Sequence, residues 1–354
     1  MRMTLTSIAG RSQLAHKVTG AKEFSAQAVS DALYLKHPEW LERYGDRGRQ
    51  FCRDDLRLHV QFLAGALEAG SPAAFADYVL WTTRMLGARG VAADCLREAF
   101  VHLADHLKQV LSSEESSLVS SYLTWDAERG GASAVIAGET DVNDRLRLTR
   151  EVFLSAILAG ERRAAVNIIE EALKDGAPLV DIYVDVIAQA LKRIGKLWES
   201  NQITVAQEHL ATAITQFVIA SVYPRMKTTG PRRGQMVVTG VAGELHQIGA
   251  NLVADAMETQ GWDVSFLGTN VPSGAIVEAV QKNSSDVLCI STTLIANLPT
   301  VADLIGMVRA RLGKDAPRIV VGGAAYRLTA SFAEDMGVLS PGPDLRSTLE
   351  MFCS

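Results

Sequence analysis

One short stretch of this chain has the residue types of a metal ligand together with its own support: Glu244-Leu245-His246-Gln247-Ile248-Gly249. It follows the apolar run QMVVTGV, so the imidazole falls on a loop just past a strand end, from which it can reach out of a sheet. A carboxylate two residues earlier can hydrogen-bond the other ring nitrogen, fixing the tautomer and tuning basicity. Gly249 opens the next helix and lets a bulky group approach the backbone. Two further loops follow strand-like runs downstream, Ser291-Thr292-Thr293-Leu294 and Gly322-Gly323. A lone loop histidine is most often a solvated surface residue. Three such loops in order on successive strands favour a bound group instead.

A second constellation is Trp198 followed, after nine residues, by Glu208-His209. The indole ends one helical segment and the acid–imidazole pair opens the next, so all three can converge on one cavity mouth. The plain alternative is a packed tryptophan plus a carboxylate that favours the helix dipole. In the N-terminal third, His102 and His106 stand four apart on one helical face. They could be a metal pair, although no third ligand is evident; a haem ligand and a solvated or chromophore-lining role remain open. Cys52, Cys95, Cys289 and Cys353 are scattered, form no CxxC pair and suit a reducing cytoplasm.

The elements that must position these groups fall into three regions. Residues 1–138 read as helices, including LRLHVQFLAGALEAG, AAFADYVLWTTRMLG and CLREAFVHLADHLKQVL. Leu96, Phe100, Leu103, Leu107 and Val110 form a buried stripe there, and Ser71 or Pro72 suits a helix start. ERGGASAVIAGET, residues 128–140, reads as a linker. Residues 141–228 hold four helix-length segments with short breaks, hence an antiparallel four-helix bundle; the third runs unbroken through PLVDIYVDVIAQALKRIGKLWES. TTGPRRG, residues 228–234, is a second linker. From 234 to 354, β-branched runs alternate with helices, which implies a doubly wound parallel sheet with ligands at the strands' carboxyl ends.

With those residues in place, the C-terminal region resembles cobalamin-binding domains of the base-off, His-on type. These share an acidic-x-His-x-x-Gly loop, a Ser-x-x-Leu-like loop and a terminal Gly-Gly. The resemblance implies His246 as the lower cobalt ligand and Glu244 as its orienter. Ser291 and Thr293 become contacts of the nucleotide tail, and Gly322 and Gly323 open its channel; Gly249 and Leu294 are further cofactor-binding candidates. The usual acid is Asp; Glu244 is like the cobalamin photoreceptors rather than the methyl carriers. The W-x9-E-H spacing resembles the adenosylcobalamin cap of CarH-type light-dependent regulators, which implies Trp198, Glu208 and His209 over the upper cobalt face. In that type a histidine directly follows the tryptophan; here Glu199 does, so a bis-histidine photoproduct through that position is excluded.

CarH-type proteins begin with a DNA-binding domain, whereas residues 1–138 lack a basic recognition helix. The layout resembles the photocobilins, which pair a globin-like helical domain and a bilin with a cobalamin photosensor. That implies biliverdin as a second chromophore, with His59, Tyr78, Trp81, Arg84, Phe100, His102 and His106 as candidate contacts. Cys52 or Cys95 would be a thioether tether or, more simply, a buried structural thiol.

The expected function is an adenosylcobalamin-dependent light sensor, not an enzyme, signalling through a homo-oligomer, a dimer, to a downstream protein partner. The competing expectations are a corrinoid methyl carrier and a light-independent cobalamin-responsive regulator. A net charge of −5 argues against direct nucleic-acid binding. No apolar run is long enough to span a membrane and no signal-peptide pattern opens the chain, so a cytoplasmic protein is expected. No room remains for the substrate barrel of a radical mutase.

Overall fold

The computed structural model describes residues 4–124, 144–228, 231–342 and 344–353; the linker read at 128–140 and part of that at 228–234 lie outside them. Within those residues the chain forms two compact units, one drawn from 1–135, 292–307 and 324–338, the other from 136–291, 308–323 and 339–354.

The first unit is built from helices α1 (Ile8–Gly20), α2 (Lys22–Lys36), α3 (Glu39–Glu68), α4 (Pro72–Gly87), α5 (Ala93–Leu107) and α6 (Ser113–Leu123). Local chemistry sets their starts. The Ser71 hydroxyl accepts from Ala74 N and Pro72 stands in the first turn, while Ser112 and Glu115 form a reciprocal capping box. Helix α3 packs along α1 and α2 and breaks at Gly45, whose φ of 62° only glycine adopts without strain. Leu14, Val18, Val29, Leu56, Leu63, Phe75 and Leu103 fill its core. A short turn at Ile295–Asn297 crosses α3 at Gly65, where a Cβ would lie 1.9 Å from the Ile295 carbonyl oxygen. Two expectations are corrected here. The helix read from Leu56 begins at Glu39, and Val110 lies beyond the end of α5, half exposed, rather than in its buried stripe.

The second unit opens with a helical bundle: α7 (Arg147–Leu158), α8 (Arg162–Lys174), α9 (Leu179–Asp181), α10 (Ala188–Glu199) and α11 (Val205–Val222). A π-turn over Ile182–Ile187 joins α9 to α10, so the third segment is not the uninterrupted α-helix its apolar spacing implies. All six π-turn residues are buried.

The sheet follows: β1 (Gly234–Thr239), α12 (Gln247–Thr259), β2 (Trp262–Phe266), α13 (Ser273–Lys282), β3 (Val287–Ser291), α14 (Leu298–Leu312), β4 (Arg318–Gly322), α15 (Ala330–Asp335) and α16 (Leu345–Cys353), α14 and α15 lying partly or wholly in the first unit. All strands are parallel in the order β2-β1-β3-β4, with Val238 opposite Cys289 and Ser291 opposite Gly322. Both faces are covered, which is why the strands read as continuous apolar runs. Met236, Val238, Val287, Cys289 and Val320 pack with α12 and α16, while Val237, Leu288, Ile290 and Val321 are buried on the other face. Because β1 sits between β2 and β3, the connections leaving β1 and β3 diverge. That is the topological switch point at which open α/β sheets take ligands.

Candidate functional site

The loop leaving β1 is held rigidly before it reaches the histidine. Gly240 N donates to Gly268 O at 3.0 Å, Val271 N returns to Gly240 O at 3.2 Å, and Gly243 N donates to the Asn270 side-chain oxygen at 2.9 Å. Gly243 itself needs φ of 88°. Glu244 is then fully buried, while the His246 side chain remains 53% exposed. One carboxylate oxygen, Glu244 Oε1, accepts from His246 N at 3.0 Å and meets His246 Nδ1 at 2.6 Å. A carboxylate only accepts, so the proton sits on Nδ1 and the lone pair on Nε2. His246 is also the N-cap residue of α12. The result is a half-exposed imidazole with fixed tautomer and orientation, the arrangement of a metal ligand with its supporting acid.

Beside this loop lies a cavity of about 200 Å³ within the second unit. Gly249, Ser291, Gly322 and Gly323 line it, with Val238, Ile290 and Val320 from the strands and Leu345 and Thr348 from α16. A Cβ built on Gly249 or Gly322 meets nothing within 4 Å, so both glycines border open space that a larger side chain would enter. Gly323 has φ of 113°, a value that favours glycine.

The remaining wall was not read from the sequence. It comes from the bundle: Tyr183 and Val184 of the π-turn and Ala188, Gln189 and Lys192 of α10. Two polar contacts, one buried and one partly buried, hold that wall to the sheet's helices. Tyr183 Oη donates to Asp255 Oδ2 at 2.9 Å, and Asn251 adds a second donor at 3.2 Å. Arg346 Nη2 reaches Asp185 Oδ2 at 2.7 Å and Asp181 Oδ1 at 2.9 Å, and Asp185 is fully buried. Burial raises the Asp255 carboxyl to about 6, and the hydrogen bond to Asp185 raises the Arg346 guanidinium above its usual range. The only signal for these residues is a carboxylate at an otherwise apolar helical position, as in DIYVDVI.

Trp198 stands in the last turn of α10, and Glu208 and His209 in the first turns of the neighbouring α11. Glu208 Oε2 meets His209 Nδ1 at 2.5 Å, and Glu208 Oε1 accepts from Thr212 Oγ1 at 3.0 Å. None of the three lines the glycine-floored cavity. Thr293 and Leu294 belong to the first unit, where Asn297 N donates to Leu294 O at 3.0 Å.

In the first unit the structure brings four of the candidate aromatic and imidazole groups together. His59 and Tyr78 share a 2.6 Å hydrogen bond; Phe100 lies 5.2 Å from the His59 ring and Trp81 6.2 Å from the Tyr78 ring, with Phe62 stacked on Tyr78 at 3.8 Å. Burial drives His59 down to about 4, so its imidazole is neutral. His102 and His106 do not act as a pair: His102 faces Glu98, whereas His106 is buried against Phe24. No group of three metal-ligating side chains occurs among the described residues. Arg84 lies on α4, as does Trp81. Cys52 and Cys95 are partly rather than fully buried, and burial raises both thiols, Cys52 to about 11, which makes them poor nucleophiles. No helix among the described residues is long and apolar enough to cross a membrane.

Parallel sheet, switch-point imidazole and adjoining bundle occur together in the second unit, and comparison with known proteins gives them a class. Two B12 binding domain models match, one over residues 149–223 and the other over 234–349, so the second unit is a cobalamin-binding module. The chain is 28% identical over 211 residues to the HTH-type transcriptional repressor CarH of Myxococcus xanthus, covering 59% of this chain and 69% of that protein. It is 25% identical over 256 residues to methionine synthase of Mycobacterium tuberculosis, 68% of this chain but only 21% of that enzyme's length. The monomethylamine corrinoid protein of Methanosarcina barkeri has the same fold over 58% of this chain and 98% of its own, with a TM-score of 0.52 and 20% identity.

Proposed function

We propose that this protein is an adenosylcobalamin-dependent light sensor. The reading rests first on the Glu244–His246 pair, in which a fully buried carboxylate holds Nδ1 and leaves Nε2 to the cobalt. In this reading the cofactor binds base-off, its own benzimidazole displaced by His246, and its tail enters the slot walled by Gly249, Ser291, Gly322 and Gly323. Bound adenosylcobalamin supplies a cobalt–carbon bond that visible light cleaves. Trp198, Glu208 and His209 cover the adenosyl group. Their loss of contact on its departure is the differential affinity that moves the bundle. Similarity to CarH across 69% of that repressor and the W-x9-E-H spacing support a sensor over a carrier. With Glu199 after Trp198, the upper cobalt face after illumination takes water or another residue.

The first unit, in this proposal, is a globin-like domain that binds biliverdin through the His59–Tyr78–Trp81–Phe100 cluster, with Arg84, His102 and His106 at its margins. Output passes through a dimer to a protein partner, without direct contact to DNA. The test is the absorption spectrum of protein loaded with adenosylcobalamin, before and after green light. A converted spectrum is expected, and an unchanged one overturns the sensor. A red band on adding biliverdin tests the first unit separately.

A second reading, a corrinoid methyl carrier, is favoured by 23% identity over 192 residues to monomethylamine corrinoid protein 2 of Methanosarcina acetivorans, 88% of that protein's length. Transfer of a cobalt-bound methyl group to a thiol acceptor by a partner methyltransferase, with the thiol proton released, would select it.

A further inference from the structure

The slot beside His246 has an unexpected feature: one wall is made by the bundle rather than by the sheet and its own helices. Tyr183 and Val184 of the π-turn, then Gln189 and Lys192 of α10, face the same cavity as Gly249, Ser291 and Gly322. Lys192 and Asp344 are the charged residues in that lining among the described residues. Asp344 Oδ1 accepts from Ser347 N at 3.0 Å and Ser347 Oγ at 3.1 Å at the start of α16, bonds that hold the carboxylate in place and leave it an anion. The cation of the lining thus comes from the bundle side, on an exposed residue.

We propose that Lys192 is the anion contact of this cavity, and that the bundle thereby selects corrinoids that carry a nucleotide tail. The inference rests on the cobalamin reading above. A corrinoid's nucleotide loop contains one phosphodiester, a permanent anion, between the macrocycle and the base. A slot whose strand side offers glycines and aliphatic side chains can accept the base but cannot neutralise that charge. An ammonium on a long stem at the rim can, as a point-charge partner for phosphate. Its helix is also well placed to keep it there. Lys192 lies five residues beyond the π-turn, which Tyr183–Asp255 and Asp185–Arg346 fasten to α12 and α16. The same fastening means that filling the slot bears directly on the π-turn, so the bundle registers the tail as well as the upper ligand.

The experiment compares cobalamin with cobinamide, which keeps the macrocycle and cobalt but lacks the phosphodiester and base, on the full chain in the dark. Dissociation constants are measured for the native protein, Lys192→Met and Lys192→Arg. The expected result is an affinity for cobalamin about tenfold lower in Lys192→Met, the scale of one charge-assisted contact, with cobinamide unchanged and Lys192→Arg close to native. Equal losses for both ligands, or no loss for either, overturn the assignment of Lys192. Failure of the native protein to bind either corrinoid overturns the cobalamin reading beneath it. Retained cobalamin binding without the shift to a base-off spectrum counts against His246 and leaves the Lys192 comparison decisive on its own.

Discussion

At the scale of single residues, the site turns on one carboxylate oxygen that serves two donors of the same residue. Glu244 Oε1 holds both the backbone N–H and Nδ1 of His246, so removing it frees the ring as well as altering its basicity. Glu244→Ala should weaken cobalamin binding about 10–100-fold, and His246→Ala should leave the benzimidazole on the cobalt. Titration followed by absorbance checks both, and native-like base-off binding by His246→Ala would remove the assignment. This pair was legible because its members are two residues apart on a strand-end loop. Tyr183, Lys192, Asp255 and Arg346 were not, since they meet only when the bundle packs on α12 and α16. Asp255 adds a pH dependence. Its folded carboxyl titrates at about 6 against an ordinary 3.8 because it is buried. The folded protein thus keeps a proton that the unfolded chain loses. The contribution to stability is largest below the unfolded value and declines as pH rises through about 6. Asp255→Asn should flatten that decline, read as the urea midpoint at about pH 4.5 and 7.5; an unchanged slope would exclude Asp255 as its source.

At the scale of elements, the π-turn is the departure that matters. Apolar residues recur through LVDIYVDVIAQAL without a gap, so periodicity shows a helix and conceals the extra residue per turn. What ties the turn down is acidic: Asp181 at the end of α9 and Asp185 within the turn both bind Arg346. Arg346→Met would leave Asp185 buried and uncompensated, which should cost about 3–5 kcal/mol of stability. Denaturant unfolding measures it, and a loss under about 1 kcal/mol would show the fastening to be dispensable. The strands were readable because both faces are covered and β-branched residues run on without alternation. Their order was not, since nothing local places β1 between β2 and β3. The early part of α3 was missed for the opposite reason: EWLERYGDRGRQFCRDD is polar and breaks at Gly45, and packing with α1 and α2 holds it helical.

At the scale of the molecule, the proposal assigns one chromophore to each of the two units. The alternation of strand and helix made the second unit's fold class plain, whereas the first unit's return of 292–307 and 324–338 to the N-terminal helices is a long-range association with no sequence period. A ligand that binds only the folded second unit stabilises that unit by mass action. At a hundredfold excess over its Kd, cobalamin should add about 2.7 kcal/mol there. Calorimetry of the full chain should show the unfolding transition move up with cobalamin; no displacement would contradict binding to the folded state. Leu245, between the acid and the imidazole, is 74% exposed. A flat macrocycle settling over His246 would strip the water from that isobutyl group, so complex formation should carry a negative heat-capacity change. Leu245→Ser should make that change smaller while the cobalt spectrum stays as it was.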